Sequence, residues 1–143
     1  MPMPGKKRSK KRSPIVLQPG GGRQYPMGRI RSTFKADNDE TGRAYSVSEW
    51  WLEANTKGPG VHTNPQDHAW YVLEGTMTVV LGKRRIEMPK GSFVLIPGGV
   101  PHTFENRSRK RAGILNFDSE AGFEDDMPGI SAWFEEHPAE SVA

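Results

Sequence analysis

The chain has 143 residues and no cysteine, so any metal ion must be held by histidine, asparagine or carboxylate side chains rather than by thiolates. No apolar run approaches the roughly 20 residues that a membrane-spanning helix needs. No apolar segment follows the charged N-terminus, so we expect no secretory signal and one cytoplasmic domain with a core of its own.

The formal net charge is +3, but the positive charge is concentrated near the N-terminus. Taking the six basic residues between positions 6 and 12 from the 20 in the chain leaves 14, against 17 acidic residues. An acidic body does not fit a nucleic-acid-binding domain, whose basic patch lies on the folded part. We interpret residues 1–14 as a disordered basic tail; a nucleic-acid contact or a nuclear-localisation signal is the alternative.

From residue 15 onward, short apolar runs alternate with turns rich in glycine and proline. This pattern predicts strands at 15–17, 29–35, 44–54, 61–64, 69–73, 76–81, 84–88, 93–96, 102–106 and 112–117. Strands at this spacing indicate an all-β sandwich or barrel over residues 15–120. We expect the wholly apolar run 93–96 to be buried.

The run 44–54 carries aromatic residues on both of its faces. The period of two places Trp50 and Leu52 on one face and Glu49 and Trp51 on the other. One face is expected to line the barrel interior, and the other to be covered by a second sheet or a second subunit.

The residue pattern changes in residues 121–143, where apolar residues recur at steps of three and four among acidic ones. This spacing predicts a C-terminal helix or two short ones, interrupted near Pro128. We interpret the segment as a packing or dimer element on the outside of the barrel, separate from any functional site.

Three of the four histidines lie in the central part of the chain, at His62, His68 and His102. His62 and Asn64 are two apart, so on a strand their side chains leave the same face. His68 and His102 begin later predicted strands. Three neutral imidazoles that converge on one point suit a divalent transition metal, and they leave coordination positions open for water, substrate or dioxygen.

Two motifs in this region resemble those of the cupin superfamily. The second cupin motif, G-x5-P-x-G-x2-H-x3-N, is met at its fixed positions by Gly91, Pro97, Gly99, His102 and Asn106. The first motif, H-x-H-x3-E-x6-G, is met by His62 and Gly75. Asn64 stands where its second histidine is expected and His68 where its glutamate is expected, which resembles the four-histidine branch of single-domain cupins.

The resemblance implies a double-stranded β-helix, or jelly-roll, barrel with a short C-terminal helix, and a homodimer. It also implies metal ligands at His62, Asn64, His68 and His102, with Fe or Mn favoured over Zn or Ni. The Asn64 amide is a weaker ligand than imidazole and can instead orient a bound water. Asn106 is expected to close a turn between strands.

The expected function is that of a metal-dependent enzyme acting on a small organic molecule, with a dioxygenase favoured. A Lewis-acid cyclase or isomerase, or a non-catalytic sensor or storage cupin, are the alternatives. A ligand set without carboxylate leaves the metal its full charge, which favours an anionic or enolate-like substrate. Trp51, Trp70 and Phe104 are the candidate pocket residues.

Overall fold

The structure is a computed structural model that describes residues 11–142. Nine strands, one α-helix and two short 3₁₀ turns form within that range. The strands are β1 Arg23–Met27, β2 Ile30–Ala36, β3 Ser46–Leu52, β4 His68–Glu74, β5 Thr76–Leu81, β6 Arg84–Pro89, β7 Phe93–Ile96, β8 His102–Glu105 and β9 Ala112–Asp118. The 3₁₀ turns span Asn38–Thr41 and Phe123–Asp126, and α1 spans Met127–Glu136. The predicted basic tail, residues 1–14, lies mostly outside the described residues, and its disorder stays a prediction.

The strands form two antiparallel sheets that enclose one core. The larger sheet has the order β1-β2-β3-β9-β4-β7 and the smaller one the order β6-β5-β8. Apolar side chains from both sheets are fully buried between them, among them Phe34, Leu52, Val72, Met77, Val79 and Ile114. The all-β prediction is therefore confirmed.

The interior face of β3 is set by simple alternation along the strand. Trp50 and Leu52 are buried together with Ser46 and Ser48, whereas Trp51 is only half-buried on the opposite face. The Trp51 ring packs flat on Gly113 of β9, where a Cβ atom would lie 2.3 Å from the ring. The Arg111 guanidinium lies 4.6 Å above the ring centroid.

Some strand predictions differ from the structure. No strand forms at 15–17, and the segment 61–64 contributes only an isolated bridge between His62 and His102. The sequence pattern missed β1, which contains a proline and lacks alternation. The prediction that 93–96 is buried was wrong, because β7 is an edge strand and leaves Phe93 62% and Leu95 56% exposed.

Residues of the two motifs close the connections between strands. Gly75 turns the chain from β4 to β5 with φ of 68°, and a Cβ atom there would lie 2.4 Å from the carbonyl oxygen of Arg111. The fully buried Asn106 amide donates hydrogen bonds to the carbonyl oxygens of Glu53 and Lys110 at 3.0 and 2.7 Å. The expected role of Asn106 in closing a turn is confirmed.

The C-terminal segment is tied to the edge of the larger sheet. The buried Asp37 carboxylate accepts hydrogen bonds from the backbone N–H groups of Gly122 and Glu124, at 2.6 and 2.7 Å. Glu124 in turn accepts from Tyr25 Oη at 2.6 Å. The prediction of two short helical pieces that meet near Pro128 is confirmed, because the second 3₁₀ turn ends at Asp126 and α1 begins at Met127. Pro128 lies in the first turn of α1, where its fixed φ suits the start of a helix.

No helix among residues 11–142 is long and apolar enough to cross a membrane. The cytoplasmic location expected from the sequence stays a prediction.

Candidate functional site

The structure brings the three central histidines together at one end of the barrel. His68 is the first residue of β4 and His102 the first of β8, and both are buried. His62 is exposed and exchanges backbone hydrogen bonds with His102, at 3.0 and 2.9 Å. The ring centroid of His102 lies 4.6 Å from that of His62 and 5.1 Å from that of His68. His102 is therefore the centre of a histidine cluster formed by these three residues.

Each imidazole in the histidine cluster has an oxygen atom at its Nδ1. The carbonyl oxygen of Gly60 lies 2.8 Å from Nδ1 of His62, and that of Val100 lies 2.8 Å from Nδ1 of His102. For His68 the oxygen belongs to the carboxylate of Asp118. An oxygen acceptor at Nδ1 favours the tautomer with the proton on Nδ1, which leaves the Nε2 lone pair free to bind a cation.

Two of the three rings, those of His68 and His102, are also buried. Burial lowers the pKa of His102 below its usual value, and the neighbouring His62 and His68 imidazoles lower it further. His102 is therefore neutral at neutral pH, which is the form that binds metals. The buried Nε2 of His68 has no hydrogen-bond partner within the described range. Leaving such an atom unpaired costs about 1–3 kcal/mol, and a bound cation would remove that cost.

Asn64 faces the same cluster. Its side-chain Nδ2 lies 3.3 Å from Nε2 of His102, so the amide donates to the lone pair that a metal ion would use. As their side chains are placed, no three histidine or carboxylate groups among residues 11–142 stand close enough together to hold one ion. The donor set fits a divalent transition metal by its chemistry, and binding would require Asn64 and the rings to turn toward the ion.

A cavity of about 310 Å³ opens next to the histidine cluster. Its walls combine aromatic rings with polar side chains, which besides the histidine cluster are Asn64, Gln66, Asn116 and Asp126. The aromatic residues that line it are Trp50, Trp70, Phe104, Phe123, Trp133 and Phe134. The two buried indole N–H groups are satisfied, since Trp70 Nε1 donates to Asn116 Oδ1 at 2.8 Å and Trp50 Nε1 to Ser48 Oγ at 3.0 Å. These hydrogen bonds fix the orientation of the two indole rings.

Two of the three predicted pocket residues line this cavity. Trp70 and Phe104 meet edge to face, with their centroids 5.1 Å apart. Trp51 does not line the cavity, because it lies on the outer face of β3 and its neighbour Trp50 takes the interior position. The alternation was read correctly from the sequence, but the choice of Trp51 as a pocket residue was wrong.

Sequence reasoning missed the contribution of the C-terminal segment to the cavity. The cavity is lined in part by Phe123, Ile130, Trp133 and Phe134. The expectation that the segment lies only on the outside of the barrel, separate from any functional site, was therefore wrong. The apolar spacing that predicted the helix was the available signal, but spacing does not tell which surface a helix covers. Asn116 was also missed, although its position on the inner face of β9 follows from alternation.

Two sheets rolled around a cavity, with imidazoles gathered at one end, define a jelly-roll barrel. Residues 49–117 match the family model of the cupin domain. This match and the two-sheet barrel identify residues 49–117 as a cupin domain.

Among curated proteins, the chain is similar to quercetin 2,3-dioxygenase from Bacillus subtilis (strain 168). The two are 28% identical over 104 residues, which is 71% of this chain and 30% of that protein. The chain therefore matches less than a third of that relative's length.

Solved structures share the fold at low sequence identity. The polyketide cyclase RemF from Streptomyces resistomycificus is 21% identical, with a TM-score of 0.58 over 79% of each chain. KdgF from Halomonas sp. is 15% identical, with a TM-score of 0.63 over 82% of this chain and 99% of that one. An RmlC-like cupin from Shewanella frigidimarina is 17% identical, with a TM-score of 0.59 over 82% and 96%. Such likeness establishes the jelly-roll fold and nothing about activity.

Proposed function

We propose that the protein is a metal-dependent cupin that oxidises a small, flat aromatic molecule with dioxygen. The observation that carries the proposal is the histidine cluster, with an oxygen at each Nδ1, at the end of an aromatic cavity. The similarity to quercetin 2,3-dioxygenase supports the oxygenase class, although it covers 30% of that relative.

The Nε2 atoms of His62, His68 and His102 would hold the metal, and Asn64 would supply a fourth ligand or orient a water. Imidazole donors suit Fe and Zn, and we favour Fe or Mn because they support oxygen chemistry. When bound, such a metal acts as a Lewis acid on a substrate oxygen. The cavity residues would bind the substrate beside the histidine cluster.

The substrate class follows from the cavity. Its volume of about 310 Å³ lies at the lower end of the range of about 300–1,000 Å³ for small-molecule sites. Rings of Trp50, Trp70 and Phe104 offer stacked and edge-on contacts to a planar ligand. A hydroxylated aromatic compound would place its rings among these side chains and an oxygen near the imidazoles.

Oxygen consumption with quercetin as probe tests the proposal. We expect protein loaded with Fe or Mn to consume dioxygen in the presence of quercetin, and His102→Ala to abolish this activity. His137→Ala is the matched control, because His137 lies beyond α1 and is not among the residues that line the cavity. Binding of quercetin without oxygen uptake by the loaded wild-type protein would contradict the oxygenase assignment.

A non-catalytic ligand-binding cupin is the second candidate. It is favoured by Asn64, whose amide occupies the His102 lone pair, and by the lack of an assembled three-ligand group within residues 11–142. In that case quercetin would bind equally well with and without metal.

We also propose that two copies pair through the outer face of the larger sheet. This outer sheet face carries exposed apolar side chains at Tyr45, Tyr71, Phe93, Leu95 and Phe117. Tyr71 is directly opposite Phe93, and Tyr45 stacks on Phe117 at 5.5 Å between centroids, so the residues are contiguous. A contiguous apolar surface of this kind marks an interaction site, and a second copy would cover it.

A further inference from the structure

A buried carboxylate stands directly behind one of the cluster imidazoles. Asp118 is the last residue of β9 and is fully buried, and its backbone lies opposite that of His68 in the sheet. Its Oδ1 contacts Nδ1 of His68, and neither atom has a hydrogen-bond partner elsewhere within residues 11–142. The Asp118 carboxylate and the His68 imidazole are therefore each other's partner through these two atoms.

The second carboxylate oxygen is fixed by a chain of hydrogen bonds. Trp70 Nε1 donates to Asn116 Oδ1 at 2.8 Å, which orients the Asn116 amide. The Nδ2 group of Asn116 then donates to Asp118 Oδ2 at 3.0 Å. This network presents Oδ1 to the His68 ring and holds the carboxylate in one orientation.

Within residues 11–142, no lysine or arginine forms an ion pair with Asp118, and the His68 imidazole is the basic group that contacts it. An isolated buried carboxylate is strongly unfavourable unless a positive charge lies nearby. The buried Nε2 on the far side of the same ring lacks a partner as well. One cation at Nε2 would satisfy both groups.

We propose that Asp118 is the positioning residue of the site. It holds the His68 proton on Nδ1, directs the Nε2 lone pair to the cation, and supplies the negative charge that the ligand set lacks. In this chain His68 occupies the glutamate position of the first motif. The Asp118 carboxylate would therefore act on the ion through the His68 ring, whereas the glutamate of the motif would bind the ion directly. The proposal rests on the proposed metal site, but the His68 tautomer can be measured without any metal.

Asp118→Asn is a sharp test because the network dictates how the new amide is oriented. The Asn116 Nδ2 group would attract the carbonyl oxygen of the new side chain, so its NH₂ group would face Nδ1 of His68. That donor forces Nδ1 to accept and moves the ring proton to Nε2, the wrong tautomer for binding a cation. Asp39→Asn is the control, since the Asp39 side chain is 94% exposed.

The experiment combines ¹⁵N imidazole spectra of metal-free protein at mildly alkaline pH with metal affinity from chelator competition. We expect the His68 proton on Nδ1 in the wild type and in Asp39→Asn, and on Nε2 in Asp118→Asn. We also expect Asp118→Asn to weaken Mn²⁺ binding about 10- to 100-fold. Wild-type His68 with its proton on Nε2 would overturn the proposal, as would unchanged Mn²⁺ affinity in folded Asp118→Asn. If the wild type binds no metal, the proposed function fails, and the tautomer still decides the role of Asp118 toward His68.

Discussion

The indole ring of Trp50 and the phenyl ring of Phe123 lie 5.7 Å apart between their centroids. Trp50 belongs to the interior of β3, and Phe123 to the turn that precedes α1. This contact joins the barrel and the C-terminal segment into one wall of the cavity. The segment therefore lines the candidate ligand cavity as well as packing against the barrel.

Trp133→Ala tests this contribution. Trp133 lines the cavity but is 46% exposed, so its removal should cost little folding stability. Aromatic contacts are worth about 0.5–1.5 kcal/mol, so the Kd of quercetin, measured by fluorescence titration, should rise about 2- to 12-fold. Trp51→Ala is the control, because Trp51 lies on the outer face of β3. Equal effects of the two substitutions would contradict this assignment of the cavity walls.

The stabilisation that anchors the C-terminal segment should be lost at alkaline pH. The hydrogen bond from Tyr25 to Glu124 raises the pKa of Tyr25 from 10.0 to about 12. Because the folded state has the higher pKa, the stabilisation is fully present below about pH 10 and is lost between about pH 10 and 12. The Tm difference between the wild type and Tyr25→Phe should therefore shrink to zero over that interval. A difference that stays constant up to pH 12 would show that the phenol proton does not hold the segment.

Asn64→His should raise metal affinity. Asn64 faces Nε2 of His102, and imidazole is a stronger ligand than an amide for Fe, Zn or Ni. Chelator competition with Zn²⁺ should show a lower Kd for the variant than for the wild type. Unchanged or weaker affinity would mean that residue 64 does not face the ion.

The outer sheet face should govern the oligomeric state. Phe93→Asp places a charge on its most exposed member, and we expect sedimentation to show a shift from dimer to monomer. Val16→Asp is the matched control, because Val16 is 83% exposed but lies outside the larger sheet. A wild-type monomer, or a dimer unaffected by Phe93→Asp, would exclude pairing through this face.

Much of this architecture could be predicted from local patterns. Alternating apolar residues and turn-forming glycines predicted eight of the nine strands of the described range, and motif spacing placed His102 and Asn106. Local patterns could not choose between the faces of β3, since Trp50 and Trp51 are equally apolar. That choice depends on partners distant in sequence, such as Phe104 inside and Gly113 outside.

The position of α1 was unpredictable for a related reason. The apolar spacing predicted a helix, but its location depends on Asp37, which binds the backbone of Gly122 from 85 residues away. The contact between Asp118 and His68 was equally hidden, because the pairing of β4 with β9 brings the two residues together. Site residues outside the motifs became apparent only from contacts between distant segments.

The metal content of protein purified without added metal tests the central claim most directly. We predict a near-stoichiometric divalent metal, Fe or Mn, in the wild type and its loss in folded His102→Ala. His137→Ala should retain the metal. A wild-type protein that carries no metal and binds none after incubation with Fe²⁺, Mn²⁺ or Zn²⁺ would contradict the account.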